Sequence, residues 1–256
     1  MPIWGFFLGT VFFVVLSIEM GYLLGKIAHG RSDNEKEAPV SGVAGAVLSL
    51  TAFILALTFA MAADRYSARK ELVREDANAI RTAYLRSDFL PQADRVESKA
   101  LFKAYVDRRL AFAQQSSSER PPIGPLLAEA DQVQRRLWTI AVANAERDMN
   151  SDVAALYIES LNGMFEVHAT RLAIGVRARI PLGIWVVLCG LTLLGMISMG
   201  YHSGIAGSSR SKARWILATS FGLVIALIAS LDRPSDFLLV TQQPLADLQA
   251  LIQADK

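Results

Sequence analysis

Residues 41–63 read SGVAGAVLSLTAFILALTFAMAA, and a charged run follows them from Asp64 and Arg65 onward. As a helix, this apolar stretch is long enough to cross a hydrocarbon core of about 30 Å. Neither glycine nor proline occurs between residue 64 and Pro91. At about 1.5 Å per residue, residues 41–90 would form a helix of roughly 75 Å. We therefore expect one helix that leaves the membrane without a break at residues 60–70.

One face of this span carries small residues at intervals of three or four, and small side chains let a second helix approach closely. They are Gly42, Gly45, Ser49, Ala52, Ala56, Ala60 and Ala63. The pattern predicts a packing helix, or more specifically a helix that lines a pore. The candidate pore-lining residues are Ser49, Ala52, Phe53, Ala56, Thr58, Phe59 and Ala63.

The composition is strongly segregated along the chain. The 256 residues are 52% hydrophobic and 20% charged, but four runs contain almost no charge and are long enough, or nearly so, to span a membrane. They are Ile3–Leu24, Gly42–Ala63, Leu182–Tyr201 and Trp215–Leu231. No basic residue precedes the first run, so we interpret it as an uncleaved span rather than a signal peptide. The pattern predicts an all-α polytopic membrane protein with four transmembrane helices.

We expect four segments along the chain. Residues 1–64 hold the first two spans, 65–178 a cytoplasmic helical domain, 179–234 the last two spans, and 235–256 a short amphipathic tail with a helix at Pro244–Gln253. In the helical domain, intervals of three and four continue from Leu126 to Leu172, which predicts a coiled-coil-like heptad seam of about six repeats. Its centre is polar at Asn144, Arg147 and Ser151.

Several classes of function find no support in the sequence. The net charge of +2 is too small to indicate nucleic-acid binding, and Cys189 alone can form no disulfide within one chain. The three histidines lie in separate predicted elements, and no G-x-S-x-G, H-E-x-x-H or glycine-rich phosphate loop occurs. We therefore expect no enzyme activity, no cofactor and no metal.

Charged residues within or next to the spans are the first group of candidates. Glu19 lies inside the first apolar run, where it either faces a partner on another helix or reaches the headgroups. Asp64-Arg65 and Asp232-Arg233 end the second and fourth spans. We hypothesise a salt bridge of Asp64 with Arg233 or of Arg65 with Asp232. The alternative is that both arginines extend independently to the membrane interface.

A second group of candidates lies outside the spans. The carboxylates Glu71, Glu75 and Asp76 are most simply solvated or ion-paired. The alternative is a polar ring in an oligomer, formed by Glu75 and Asn78 on a face with Arg74, and Arg69 is a further candidate for a polar ring or ion pair. His168 and Arg171 share one helix face at a spacing of three. For this pair a buried polar contact is favoured over a proton relay.

Four crossings place both termini and the helical domain on one side of the membrane. Within about fifteen residues of the membrane, that side carries eight lysines and arginines, and the side of the short loops carries six. This excess favours a cytoplasmic helical domain only weakly, so both orientations stay open on charge alone. The expected location is the inner membrane, with the termini and the helical domain in the cytoplasm.

Three stretches carry a resemblance to a known family. They are AADRYSARKELVREDANAIRTAYLR at 62–86, LNGMFEVHATRL at 161–172 followed by RIP, and LDRPSDFLLVTQQPLADLQAL at 231–251. Together, and in this order, they resemble the bacterial bestrophin-like domain family. The resemblance implies four spans with a cytoplasmic helical domain between spans two and three, and kinship with the pentameric bestrophin anion channels.

Two functions follow as expectations. The first is a homo-oligomeric ion channel or pore whose axis is lined by the second span. The second is a non-conducting scaffold or sensor that docks partners through its cytoplasmic helices. The expected partners are the lipid bilayer, further copies of the chain and small inorganic ions, and nucleic acid is not among them.

Overall fold

The computed structural model describes residues 3–29, 37–115, 122–174, 179–207, 212–232 and 240–255. Regular structure in these residues is helical, with eight α-helices and one short 3-10 turn at Ser87–Phe89. The helices are α1 (Ile3–His29), α2 (Glu37–Arg86), α3 (Gln92–Gln114), α4 (Ile123–Arg147), α5 (Asp152–Leu172), α6 (Leu182–Ile205), α7 (Ala213–Asp232) and α8 (Gln243–Ala254). In the described part of the chain, the all-α prediction is confirmed.

Four of these helices are long and apolar enough to cross a membrane, namely α1, α2, α6 and α7. They correspond to the four predicted apolar runs, which confirms the four-span architecture. The second of them, α2, stays helical through residues 60–70, where the sequence changes from apolar to charged. It ends at Arg86, and Leu90 is extended (φ −77°, ψ 153°), as expected for a residue that precedes a proline.

The predicted heptad segment from Leu126 to Leu172 is wrong as a single helix. It breaks between α4 and α5, close to the polar positions at its centre. The Ser151 hydroxyl accepts a hydrogen bond from the Ala154 N–H at 3.2 Å and so caps the N-terminus of α5. Asp152 stands in the first turn of α5, where the helix dipole favours negative charge. Since α4 and α5 pack against each other across this short connection, they form an antiparallel pair.

The chain divides into two compact units, each of which is described by itself. Unit 1 comprises Met1–Tyr66 and Arg179–Leu238, and it contains the four apolar spans. Unit 2 comprises Ser67–Ala178 and Leu239–Lys256, and it contains the charged half of α2 together with α3, α4, α5 and α8.

In unit 1, α1 and α6 pack with their backbones in contact. Gly21 and Gly25 of α1 lie against α6, and Gly200 and Gly204 of α6 lie against α1. A Cβ atom added at any of these four positions would clash with a backbone atom of the facing helix. Each helix thus contributes a glycine pair at a spacing of four, a known motif for close packing of membrane helices.

Unit 2 has a core of large side chains. Tyr84, Phe102 and Tyr157 are at most 1% exposed, and residues from α2, α3, α4, α5 and α8 form one continuous hydrophobic cluster. The predicted short C-terminal helix is present as α8, which contributes Leu245 and Leu248 to that cluster.

Candidate functional site

The part of α2 that belongs to unit 1 has one packed face. Ala44, Thr51, Thr58 and Ala62 are at most 6% exposed and recur at helical spacing. The Thr51 hydroxyl also donates to the carbonyl oxygen of Leu191 on α6, at 3.2 Å. This face therefore fixes the rotation of α2 against the other spans of the same chain.

The opposite face of α2 is exposed. At about 100° per residue, its centre is formed by Ser49, Phe53, Ala56 and Ala60, all of which are exposed. The large side chain of Phe53, for example, is 60% exposed. A Cβ atom added at Gly45, on the same side, would meet no described atom within 4 Å. The row of small residues seen in the sequence is thus uncovered by the described part of this chain.

The predicted pore-lining residues do not share one environment. Ser49, Ala52, Phe53, Ala56 and Phe59 are exposed, Ala63 is half-buried and Thr58 is fully buried. The Thr58 hydroxyl donates to the carbonyl oxygen of Ile54 at 2.7 Å and lies on the packed face of α2. Thr58 therefore takes no part in the pore proposed below.

Glu19 of α1 is ion-paired with Arg214 at the start of α7, and both side chains are 25% exposed. The Arg214 guanidinium also lies over the ring of Trp215, 5.8 Å from its centroid. Of the two alternatives for Glu19, the structure provides a partner on another helix. Such a partner lowers the free-energy cost of a charge in apolar surroundings.

Asp232, the last residue of α7, contacts two other segments of unit 1. Its Oδ1 accepts a hydrogen bond from the backbone N–H of Ile180 at 2.8 Å. The same oxygen lies 3.9 Å from Arg65 Nη1, which is a long ion pair. Arg65–Asp232 is one of the two hypothesised pairings. In the other, Asp64 is exposed and Arg233 lies outside the described residues.

A buried ionic cluster forms in unit 2 around Asp76 of α2. Its side chain has no exposed surface, and Oδ2 lies 2.7 Å from Arg109 Nη2 and 2.5 Å from Arg171 Nη1. Arg171 also donates to the side-chain oxygen of Gln242, which precedes α8, at 2.9 Å. Burial lowers the pKa of Arg171, and the neighbouring charge of Arg109 lowers it further. One carboxylate thus joins α2, α3 and α5.

His168 extends this cluster through Tyr105. The Tyr105 hydroxyl oxygen lies 3.2 Å from His168 Nδ1 and accepts a hydrogen bond from Arg109 Nη1 at 2.8 Å. Gln134 of α4 donates to the same oxygen over a longer distance, 3.4 Å. Burial raises the pKa of Tyr105 and lowers that of His168. His168 and Arg171 are therefore linked indirectly, through Tyr105, Arg109 and Asp76.

The polar-ring candidates fall on different faces of α2 within unit 2. Arg69 is buried at 9% exposure, whereas Glu75 and Asn78 are exposed. Glu71 and Arg74, also exposed, form an ion pair one turn apart. Of Arg69, Glu75 and Asn78, only the last two could therefore face a neighbouring molecule.

The C-terminal residues of unit 2 are anchored by a second polar group. Asp255 Oδ2 accepts hydrogen bonds from the Tyr84 hydroxyl and from Lys99 Nζ, each at 2.7 Å. Lys99 also pairs with Asp88 at 2.7 Å. Burial, followed by the hydrogen bond to Asp255, raises the pKa of Tyr84 to about 12. This group holds the end of α8 against α2 and α3.

Sequence reasoning missed two features that shape these sites. The burial of Asp76 had no local signal, because its partners Arg109 and Arg171 lie 33 and 95 residues away in the chain. The glycine pairs of α1 and α6, each at a spacing of four, are present in the sequence. The longer row of small residues on α2 is equally compatible with close packing, so the sequence does not show which of them meets another helix.

Two recesses lie within single units. A groove of about 570 Å³ between α4 and α5 in unit 2 is lined by Trp138 and Phe165 together with polar residues, including Gln134 and Asn162. An apolar crevice of about 250 Å³ in unit 1 is lined by residues of α1, α6 and α7, among them Gly9.

The four spans and the helical unit 2 define a polytopic, all-helical membrane protein. A family model, the bestrophin-like domain, matches residues 11–237. The chain therefore belongs to the bestrophin-like domain family, and the resemblance seen in its motifs is confirmed. No curated protein matches the sequence.

Solved structures support the same fold. Two variants of a bacterial bestrophin homologue from Klebsiella pneumoniae, one with a substituted tyrosine and one with a substituted leucine, are similar to this chain at a TM-score of 0.66. Their identities are 13% and 12%, over 96% of this chain and 98% of theirs. A membrane protein with one substituted proline is similar at 0.64, with 12% identity over the same shares of the two chains.

Proposed function

We propose that this protein is an ion channel assembled from several copies of the chain, with the exposed face of α2 lining the axis. The observation that carries the proposal is the division of α2 in unit 1. Thr51 and Thr58 face the other spans of the chain, whereas Ser49, Phe53 and Ala56 are exposed on the opposite side. A bundle of four packed helices is too narrow to enclose a pore of its own, so conduction needs several copies. Membership of a family related to the bestrophin anion channels supports the same conclusion.

The charges next to the exposed face make the choice of ion testable. Asp64 is exposed and follows Ala60 by about one turn on the same side of α2. Arg65 instead lies near Asp232 of its own chain. In an assembled pore, Asp64 would therefore supply a ring of carboxylates, and such rings favour cations. Replacement of Asp64 by Asn should shift the reversal potential in asymmetric KCl toward that of Cl⁻.

Cysteine accessibility tests the lining face. With Cys189 replaced by Ser, the variant Ala56→Cys should lose current when a charged thiol reagent is added to protein in planar bilayers. The matched control Thr58→Cys lies on the packed face of the same helix, turned about 200° away and fully buried within the chain, and should keep its current. Equal block of both variants, or absence of current from the unmodified protein, would contradict the proposal.

A scaffold or sensor role is the second candidate, and the groove between α4 and α5 favours it. Trp138 and Phe165 lie in this groove with ring centroids 6.2 Å apart, and aromatic residues are common at sites of protein recognition. This role replaces the channel if the purified protein carries no current and if the wild type captures a partner that the Trp138→Ala variant does not capture.

The proposed location is the bacterial inner membrane, with the termini and unit 2 in the cytoplasm. The excess of basic residues on that side supports it. Labelling of a single cysteine at Asp255 in a Cys189→Ser background should occur in inverted vesicles but not in intact cells.

A further inference from the structure

The surroundings of His168 in unit 2 contain more buried positive than negative charge. Arg109 and Arg171 have side chains that are 11% and 22% exposed, and both bind the fully buried Asp76. His168 itself is 7% exposed. One carboxylate therefore already balances two guanidinium groups, which leaves no buried counter-charge for a third cation in this cluster.

The hydrogen bonds at Tyr105 determine which form of His168 the cluster accepts. The side chains of Arg109 and Gln134 can only donate from the nitrogens that face the Tyr105 oxygen, at 2.8 and 3.4 Å. The hydroxyl proton must therefore point at His168 Nδ1. That nitrogen then accepts, so the imidazole is neutral with its proton on Nε2.

A proton on Nδ1 would remove this arrangement. The new N–H would face a hydroxyl group that already points its own proton at the same nitrogen, and the hydrogen bond would be lost. The charged groups around the ring are Asp76 on α2, Tyr105 and Arg109 on α3, Asp131 on α4 and Arg171 on α5. Among the carboxylates, Asp76 is shared by two arginines and Asp131 is exposed.

Among the described residues, no polar group anchors the other side of the imidazole. His168 Nε2 is buried and has no hydrogen-bond partner among the described residues. A buried donor without an acceptor is costly, so an unpaired Nε2 in a folded protein calls for an explanation. The bond to Tyr105 is therefore what orients the ring, and its loss would leave the ring free to turn.

We propose that His168 is a proton-operated switch in unit 2: on acidification it takes up a proton, breaks its bond to Tyr105 and loosens α5 from α3. Arg171 lies one turn further along α5 and holds Gln242, which precedes α8. Opening at His168 therefore also loosens the attachment of the C-terminal helix. This switch does not depend on whether the protein conducts ions.

The direction of the pH dependence follows from the pKa of His168, which burial, and then the charge of Arg109, hold below its ordinary value. In the opened state the His168 imidazole has its ordinary pKa of about 6.5 and binds a proton more readily than it does in the closed state. The closed state is thus fully favoured above about pH 6.5 and loses stability as the pH falls from there toward the lowered pKa. The opening equilibrium rises by up to about tenfold per pH unit in this window.

The switch is tested by amide hydrogen exchange of the full-length protein in nanodiscs. Exchange is followed by mass spectrometry at pH 5 to 8, and the rates are corrected for the intrinsic pH dependence of exchange. In the wild type, peptides from α5 and α8 should open more as the pH falls through this window. In His168→Gln the pH dependence should vanish, even if the variant is less stable at every pH. His202→Gln should behave as the wild type. An unchanged pH dependence in His168→Gln would refute the switch.

Tyr105→Phe provides a second, independent readout. The chain has three histidines, so ¹⁵N-histidine NMR of a variant with His29 and His202 replaced by Gln reports His168 alone. Its midpoint should lie below about 6.5, and Tyr105→Phe should raise it, since the hydroxyl that stabilises the neutral ring is gone. A midpoint at or above the ordinary value in the wild-type environment would overturn the proposal.

Discussion

Unit 1 and unit 2 hold their helices together by different physical means. In unit 1, glycines bring α1 and α6 into backbone contact, as at Gly21 and Gly200. In unit 2, large aromatic side chains such as Tyr84 and Phe102 fill the core. The difference reflects the two solvents, because lipid gives no hydrophobic drive for helix association and close packing must replace it.

The two units also treat buried charge differently. In unit 2 the buried Asp76 binds two arginines from two other helices, whereas the ion pairs of unit 1, Glu19–Arg214 and Arg65–Asp232, lie toward the ends of the apolar runs. Charge is thus kept toward the ends of the apolar runs in unit 1 but lies inside the helical bundle of unit 2. This comparison leads to four predictions, from the largest expected effect to the smallest.

Replacement of Asp76 by Ala should destabilise unit 2 most. It leaves Arg109 and Arg171 without their shared partner, and breaking a buried ion pair costs about 3–5 kcal/mol. Urea denaturation of the full-length protein in detergent micelles, followed by circular dichroism, would measure the loss. Glu75→Ala removes an exposed carboxylate from the adjacent position and should stay within about 0.5 kcal/mol of the wild type. Equal losses in both variants would show that the cluster does not hold the bundle.

A compensated variant sharpens this test. In Asp76→Leu combined with Arg109→Met and Arg171→Met, the whole cluster becomes apolar at similar volume, and such replacements are often neutral. Recovery of most of the stability would show that the single substitution is harmful because it strands charge. If the triple variant remains as unstable as Asp76→Ala, the cluster has a shape that apolar side chains cannot fill.

The second prediction concerns the glycine contact of unit 1. Gly200→Ala places a methyl group against the backbone of α1, and overpacking of this kind typically costs about 1–3 kcal/mol. Gly190→Ala, on the same helix, meets no described atom within 4 Å and gains the same helix propensity. Thermal unfolding in micelles should separate the two variants. If both unfold at the same temperature, the contact between α1 and α6 does not depend on glycine.

The fold was largely readable from the sequence because its strongest signals are local. Apolar runs of spanning length predicted the four membrane helices, and the absence of glycine and proline after residue 64 predicted the continuity of α2. The break at residues 148–151 was not predicted, since the three-four spacing continues across it. A local signal for the break was present, however, because Ser151 followed by Asp152 is a good helix start.

The candidate sites were less predictable, because they depend on contacts between distant segments. A run such as Arg74-Glu75-Asp76 does not reveal which carboxylate is buried, and the answer depends on Arg109 and Arg171. In the same way, the glycines of α1 and α2 look alike, although Gly21 of α1 meets the backbone of α6 and Gly45 of α2 meets no described atom within 4 Å. Sequence patterns identify faces, but tertiary packing decides which face is covered.

The third prediction separates charge from hydrogen bonding at Asp232. Asp232→Ala leaves the buried N–H of Ile180 without this acceptor, and loss of such a partner costs about 1–3 kcal/mol. Asp232→Asn keeps an oxygen for that N–H and gives up the negative charge, which includes the long contact to Arg65 at 3.9 Å. The Asn variant should therefore retain more than half of the thermal stability that the Ala variant loses relative to the wild type. If Asn is as harmful as Ala, the charge of Asp232 matters more than its hydrogen bond.

The smallest expected effect is at the turn that splits the predicted heptad. Ser151→Ala removes the cap of α5 and should cost about 1 kcal/mol, because water can replace part of the bond to the half-buried Ala154. Ser151→Asp supplies another capping oxygen, so its stability in urea should match that of the wild type. Ser67→Ala, at an exposed site on α2, controls for the loss of a hydroxyl alone. If Ser151→Ala proves neutral, the break between α4 and α5 is held by packing of the two helices on each other and the cap merely accompanies it.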